Sequence, residues 1–205
     1  LGATKGLPDR EILGIYAGHA DVTAVLIHQA PKEGVTQTGG DLYMSGSGNY
    51  GLAYGNGKYN GEYQEFRYVP LKELSYKKDN KGKDVLVNGK PVLEMEKGPE
   101  EIVVGGSHIL ARIGDHVYTW GEAWGSPKGH GALGRLPNFS KKDAFIPTRV
   151  VALDGAVSVA AGAQFSVIAR VDGSVWTMGT NAHGELGVGD KKIVKATTPV
   201  KVSGI

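Results

Sequence analysis

Two stretches of this chain spell the same glycine-spaced pattern of short strands, and a repeat of that length leaves few architectures open. The clearer copy runs Val157-Ser-Val-Ala-Ala-Gly162-Ala-Gln-Phe165-Ser-Val-Ile-Ala-Arg-Val171-Asp-Gly173-Ser-Val175-Trp-Thr-Met-Gly179-Thr-Asn181-Ala-His-Gly184-Glu-Leu186-Gly187-Val-Gly189-Asp190, and closes on Pro199-Val-Lys-Val. Its predecessor runs Glu101-Ile-Val-Val-Gly105-Gly-Ser-His108-Ile-Leu-Ala-Arg-Ile113-Gly-Asp-His-Val117-Tyr-Thr-Trp120-Gly121, then Gly131-Ala-Leu133-Gly134 and Pro147-Thr-Arg-Val150. Gly105 and Gly162 lie 57 residues apart. That period suits the blade of a propeller and is too short for separate domains. A third, diverged copy is read in Ile15-Tyr-Ala-Gly18, Val22 to Ile27, Gly40-Asp-Leu-Tyr43-Met-Ser-Gly46, Asn49-Tyr-Gly51 and Val69-Pro70.

Each copy reads as strand, glycine, strand, turn, strand, glycine-rich corner, loop and closing strand. Asp172-Gly173 between two apolar runs predicts a hairpin, with a type I′ turn as the geometry that favours Asp followed by Gly. The 32 glycines among 205 residues fit many tight turns, since glycine reaches positive φ without steric cost. No stretch holds a sustained helical period, so an all-β chain is expected. The boundaries predicted are a diverged first repeat over 1–74, an inserted β-hairpin or linker over 75–99, a second repeat over 100–153 and a third over 154–205.

This pattern resembles the regulator-of-chromosome-condensation repeat. The third copy matches almost throughout, the second lacks one hairpin-turn residue and carries several extra before Gly131, and the first has a long turn insertion between His28 and Gly39. The resemblance implies an all-β fold of four-stranded blades set radially, with about three blades here, as part of a propeller that closes in this family with seven. Three blades alone leave two apolar sheet faces in water. A few hundred Å² exposed at ~25 cal/mol per Å² costs on the order of 10 kcal/mol, comparable to the whole stability of a domain. Further chain beyond these residues is therefore expected, ahead of a partner that completes the core. Gly105 and Gly162 are expected where neighbouring backbones leave no room for a Cβ. Gly121, Gly131, Gly134, Gly173, Gly179, Gly184 and Gly187 are read as turn and corner positions, Gly179 and Gly184 with positive φ. Val175, Trp176, Val117 and Tyr118 are expected to pack between blades.

Composition excludes several chemistries. There are no cysteines, so disulfides, thiolate catalysis and cysteine-based zinc sites are absent together. The six histidines (His19, His28, His108, His116, His130, His183) lack metal-ligand spacing, and His108, at a recurrent family position, is expected in a structural hydrogen bond. Gly46-Ser-Gly48-Asn-Tyr-Gly51 and Gly129-His-Gly131-Ala-Leu-Gly134 spell the dinucleotide pattern, but neither opens a helix that could meet a pyrophosphate. Neither a catalytic residue, nor a cofactor, nor a metal site is assigned. A net charge of +2 gives little pull toward nucleic acid, so direct nucleic-acid contact is not expected. Nothing approaches the ~20 apolar residues of a membrane span. An intracellular setting is preferred, and Asn138-Phe139-Ser140 would be a glycosylation acceptor only in a secreted chain.

The irregular segment carries the functional signal. Lys77-Lys78-Asp-Asn-Lys81-Gly-Lys83 precedes Val85-Leu-Val87-Asn88-Gly89-Lys90-Pro91-Val92-Leu93, and Asn88-Gly89 between apolar runs predicts a hairpin. Two readings stay open: a contact element whose sites are Lys77, Lys78, Lys81, Lys83, Asn88, Gly89 and Lys90, or a solvated loop whose lysines guard a strand edge. Exchange factors of the family use a protruding β-wedge on their small GTPase, and this hairpin is similar in kind without a residue-by-residue alignment. Tyr50, Tyr54, Tyr59, Tyr63, Phe66 and Tyr68 among glycines have the composition of an adaptable contact surface, with Tyr54 and Tyr59 as candidate contacts, or else cover a blade edge. The function expected is a non-catalytic protein-binding scaffold within a larger assembly. The alternatives are guanine-nucleotide exchange on a small GTPase and a chromatin-associated or other nucleic-acid-associated role.

Overall fold

The computed structural model describes residues 7–18, 21–47, 62–121, 131–135, 141–190 and 192–204. In chain order the first part holds β1 (Ile12–Gly18), β2 (Val22–His28), β3 (Thr36–Thr38), β4 (Gly40–Ser47), β5 (Glu62–Val69), β6 (Glu73–Tyr76), β7 (Leu86–Val87), β8 (Lys90–Pro91) and β9 (Leu93–Lys97). The second part holds β10 (Glu101–Val104), β11 (His108–Ile113), β12 (His116–Gly121), the single turn α1 (Lys141–Ala144) and β13 (Thr148–Arg149). The third holds β14 (Ala156–Ala161), β15 (Phe165–Arg170), β16 (Val175–Thr180) and β17 (Lys195–Lys201). These strands form three four-stranded antiparallel blades, ordered β1-β2-β4-β5, β10-β11-β12-β13 and β14-β15-β16-β17.

The blades pack face to face through two apolar seams, and strand alternation decides which residue serves which seam. Along β11, Ile109, Ala111 and Ile113 face the first blade's Val22, Ala24, Leu26, Leu42 and Met44. Leu110 faces the other way, toward Val159, Ile168 and Met178 of the third blade. In β12, Trp120 and Tyr118 join the first seam while Val117 joins the second. The middle blade is thus covered on both faces, which is why β11 is apolar almost without interruption. The outward faces differ: Ile15 of β1 is 66% exposed and Val157 of β14 is 50% exposed. Trp176 packs into the second seam, whereas Val175 alternates to the opposite face of its strand.

Matching hydrogen bonds mark the second and third blades as copies. Thr119 Oγ1 donates to the Leu133 carbonyl at 2.9 Å, and Thr177 Oγ1 donates to the Leu186 carbonyl at 2.9 Å. Gly121 and Gly179 lie at equivalent positions near the ends of their strands at φ +105° and +114°, and the corner pairs Gly131/Gly184 and Gly134/Gly187 also agree in φ. A Cβ on Gly179 would lie 2.5 Å from Phe165 Cα. At Gly105 a Cβ would meet the His108 ring and, at 2.9 Å, the Gly162 carbonyl of the next blade. At Gly162 the space is filled instead by the Phe165 ring of its own blade, so the close approach there is to a side chain and not to a neighbouring backbone.

One turn differs from expectation. Gly173 has φ +79° but Asp172 does not share a positive φ, so the turn is not type I′. Gly173 N–H bonds to the Arg170 carbonyl at 3.0 Å, and Asp172 Oδ1 accepts from the Ser174 amide at 3.0 Å. This is the type I turn closed by a left-handed glycine, with the Asp172 carboxylate capping the Ser174 amide two residues on.

His108 bridges blades. Its Nε2 lies 2.9 Å from Ser166 Oγ, which donates its one hydrogen to the Ala132 carbonyl at 2.9 Å. Ser166 can then only accept, so Nε2 carries the proton and donates.

Candidate protein-interaction site

The feature that leaves the blade plan is a finger between the first and second blades. Strand β6 rises from the first blade and β9 returns, pairing antiparallel from Glu73↔Lys97 to Tyr76↔Leu93, while β3 adds to β9 in parallel. The resulting sheet, ordered β3-β9-β6, crosses the 74/75 boundary read from sequence and draws in residues from the turn insertion near His28. Beyond it Lys77 N–H bonds to the Val92 carbonyl, Val85 N–H to the Lys77 carbonyl and Val92 N–H to the Val85 carbonyl, each at 2.9 Å. The finger ends in the β7–β8 hairpin, whose turn residues Asn88 and Gly89 have φ +50° and +75°. Two successive positive φ values are those of the type I′ turn that Asn-Gly favours.

The base of this finger is anchored by charge. Glu96 of β9, its side chain only 2% exposed, pairs with both Lys32 and Lys72. Lys72 also reaches Asp41 Oδ1 at 2.6 Å, and Asp41 Oδ2 accepts from Arg10 Nη1 at 2.9 Å. Burial alone would raise the Glu96 carboxyl, but hydrogen bonds from Lys32 and Lys72 outweigh it and hold the group below the usual carboxylate value. On the side of the second blade, Glu73 Oε1 accepts from Tyr118 Oη at 2.7 Å and sits 2.5 Å from His116 Nδ1. Burial first, and then Glu73, raises the Tyr118 phenol above its ordinary range.

Beyond the base the finger faces solvent. Lys77, Lys78, Lys81, Lys83, Asn88, Gly89 and Lys90 are all exposed, so the structure gathers them on one element. Leu86 and Val87, in the apolar run that leads into Asn88-Gly89, are 56% and 59% exposed. Reading could not find the anchors Glu73, Glu96, Lys72 and His116, since their partners are remote in sequence. Tyr54 and Tyr59 lie outside the described residues, as do Tyr50, His19, His130 and Asn138. Tyr68 is 44% exposed, with its ring 5.6 Å from that of Tyr43. Gly131–Gly134 forms a blade corner with a Gly134-to-Gly131 backbone bond of 2.9 Å. Among the described residues no three His, Cys, Asp or Glu side chains cluster as metal ligands, and no helix is long and apolar enough to cross a membrane.

Comparison with known proteins agrees with the repeat geometry. The family model described as the regulator of chromosome condensation (RCC1) repeat matches residues 115–169 and 172–205, and a second model of the same description matches 156–185. Residues 115–205 are regulator of chromosome condensation repeats. The ultraviolet-B receptor UVR8 of Arabidopsis thaliana is 32% identical over 93 residues, covering 43% of this chain and 19% of the receptor. The crystal structure of human WBSCR16 superposes with a TM-score of 0.59 at 19% identity, over 97% of this chain and 43% of that one. The chain therefore spans less than half of the length of either protein. At that identity the human structure speaks for the fold: the described blades are those of an RCC1-type propeller.

Proposed function

We propose that this chain is the blade-bearing part of a non-catalytic protein-binding propeller, with the finger over residues 77–91 as a contact element. The observation that carries the reading is the contrast within the finger: a base tied to the first blade by ion pairs and to the second by hydrogen bonds, and a distal part whose lysines, Leu86 and Val87 are exposed. A solvated loop has no need of a buried carboxylate such as Glu96 to fix its direction. Fixing an exposed element in advance removes the ordering cost that a partner would otherwise meet on binding, and function concentrates on such elements of rigid scaffolds.

The test is affinity purification of the tagged protein beside a version in which residues 79–90 are replaced by a short Gly-Ser turn. The same proteins recovered in equal yield with both would end the reading. Loss of specific partners, with an unchanged unfolding midpoint, is the expected result. Exchange on a small GTPase would be a surface-driven activity of the same kind, and a nucleotide-release assay on the recovered GTPases separates it from passive binding.

A further inference from the structure

We infer that the finger tip is a wedge for an apolar cleft with an acidic rim on a protein partner; this rests on the protein-binding reading above. The argument begins with the two faces of the β7–β8 hairpin. Side chains directly across an antiparallel pair share a face, so Leu86 stands beside Pro91, and Val87 beside Lys90. Leu86 and Val87 themselves alternate to opposite faces. Each face therefore presents an exposed apolar residue, at 56% and 59% exposure. A flat partner surface could cover only one of them, whereas a cleft covers both.

Charge then selects the rim. Residues 77–91 hold five lysines against two aspartates, and both aspartates are engaged within the finger. Asp84 pairs with Lys78. Asp79 Oδ1 accepts from the Lys81 and Lys83 amides at 2.8 and 2.9 Å. The side chains of Lys77, Lys81, Lys83 and Lys90 are exposed, and among the described residues no carboxylate pairs with their ammonium groups. Complementary potential across an interface speeds encounter and fixes orientation, and here the complement is a cluster of Asp and Glu around the cleft.

Other anionic partners fit less well. Single-stranded nucleic acid is held by aromatic platforms beside a basic groove, and residues 77–91 contain no aromatic side chain. A membrane surface is bound by a broad apolar face, which a two-residue strand does not provide.

The test places a benzophenone photo-crosslinking residue at Val87, and separately at Leu86, in the full chain. Irradiation is followed by sequencing of the attached fragment. Adducts from both positions to one protein, at a site of apolar residues flanked by Asp and Glu, are expected. Lys81→Glu/Lys83→Glu/Lys90→Glu should lower the adduct yield at least tenfold, and raising the salt should lower it too, since exposed charges are screened. The unfolding midpoint of that variant should not move. Adducts to a neutral or basic protein site, or a yield indifferent to the lysine reversals, overturn the wedge while leaving protein binding intact. Adducts to RNA or lipid, or none at either position, overturn both.

Discussion

Gly179 shows how one atom can be excluded by geometry. Its φ of +114° belongs to a region side chains rarely adopt, and a Cβ would come within 2.5 Å of Phe165 Cα. Gly179→Val should cost more than ~2 kcal/mol in urea unfolding, from backbone strain and forced displacement together. A loss under ~0.5 kcal/mol, the scale of a neutral surface change, would remove the strained corner from the account. His108 and Ser166 form the other residue-scale test. Ser166→Ala leaves a buried imidazole donor without its acceptor, and such a group costs about 1–3 kcal/mol. Ser166→Ala and His108→Ala together should cost less than the sum of the two, since they share one bond. Strict additivity would show that the interblade bond does not form. The glycines at strand ends and corners were legible because a repeat marks them by recurrence. The acceptor for His108 was not, because Ser166 sits 58 residues away and on another blade.

At the scale of elements, the finger divides into a structural base and a free tip. Replacing residues 79–90 should leave the unfolding midpoint within a few degrees, because no buried side chain is lost. Carrying the deletion through residue 95 removes most of β9 with its pairs to β3 and β6, and should lower the midpoint clearly. Equal midpoints for the two would contradict the anchored base. Acid supplies a second test. The Glu96 carboxyl is held below its ordinary value of 4.5, so its stabilising share is present above that value and is lost as pH falls through the depressed one. Thermal midpoints should therefore drop below about pH 4.5, and Glu96→Gln should flatten that part of the profile; an unchanged profile would show that Glu96 does not titrate as argued. The hairpin at Asn88-Gly89 was legible from its dipeptide and flanking apolar residues. The parallel pairing of β3 with β9 was not: its strands are remote in the chain, and a three-residue strand such as Thr36–Thr38 has no periodicity to read. Nor could the Asp172 turn be typed from its dipeptide, since a type I turn closed by a left-handed glycine also accepts Asp-Gly.

For the whole molecule, the middle blade is the keystone because both of its faces are buried. Trp120, fully buried in the first seam, should cost about 3–5 kcal/mol on truncation to Ala, and a loss below ~1 kcal/mol would mean that the seam is not packed as described. Fold class was readable because strand, glycine and corner recur together, while the seam each residue serves follows only from knowing that blades stack. The central claim is that packed blades hold out a finger that is exposed until a partner covers it. Hydrogen–deuterium exchange of the protein, alone and with the partner recovered by affinity purification, measures this directly. Amides of β2, β4, β11, β12, β15 and β16 should be protected throughout, and those over residues 79–91 should exchange fast alone and slow down with the partner. A finger protected as strongly as the blades in the free protein, or a partner that slows exchange elsewhere and leaves residues 79–91 unchanged, would contradict the account.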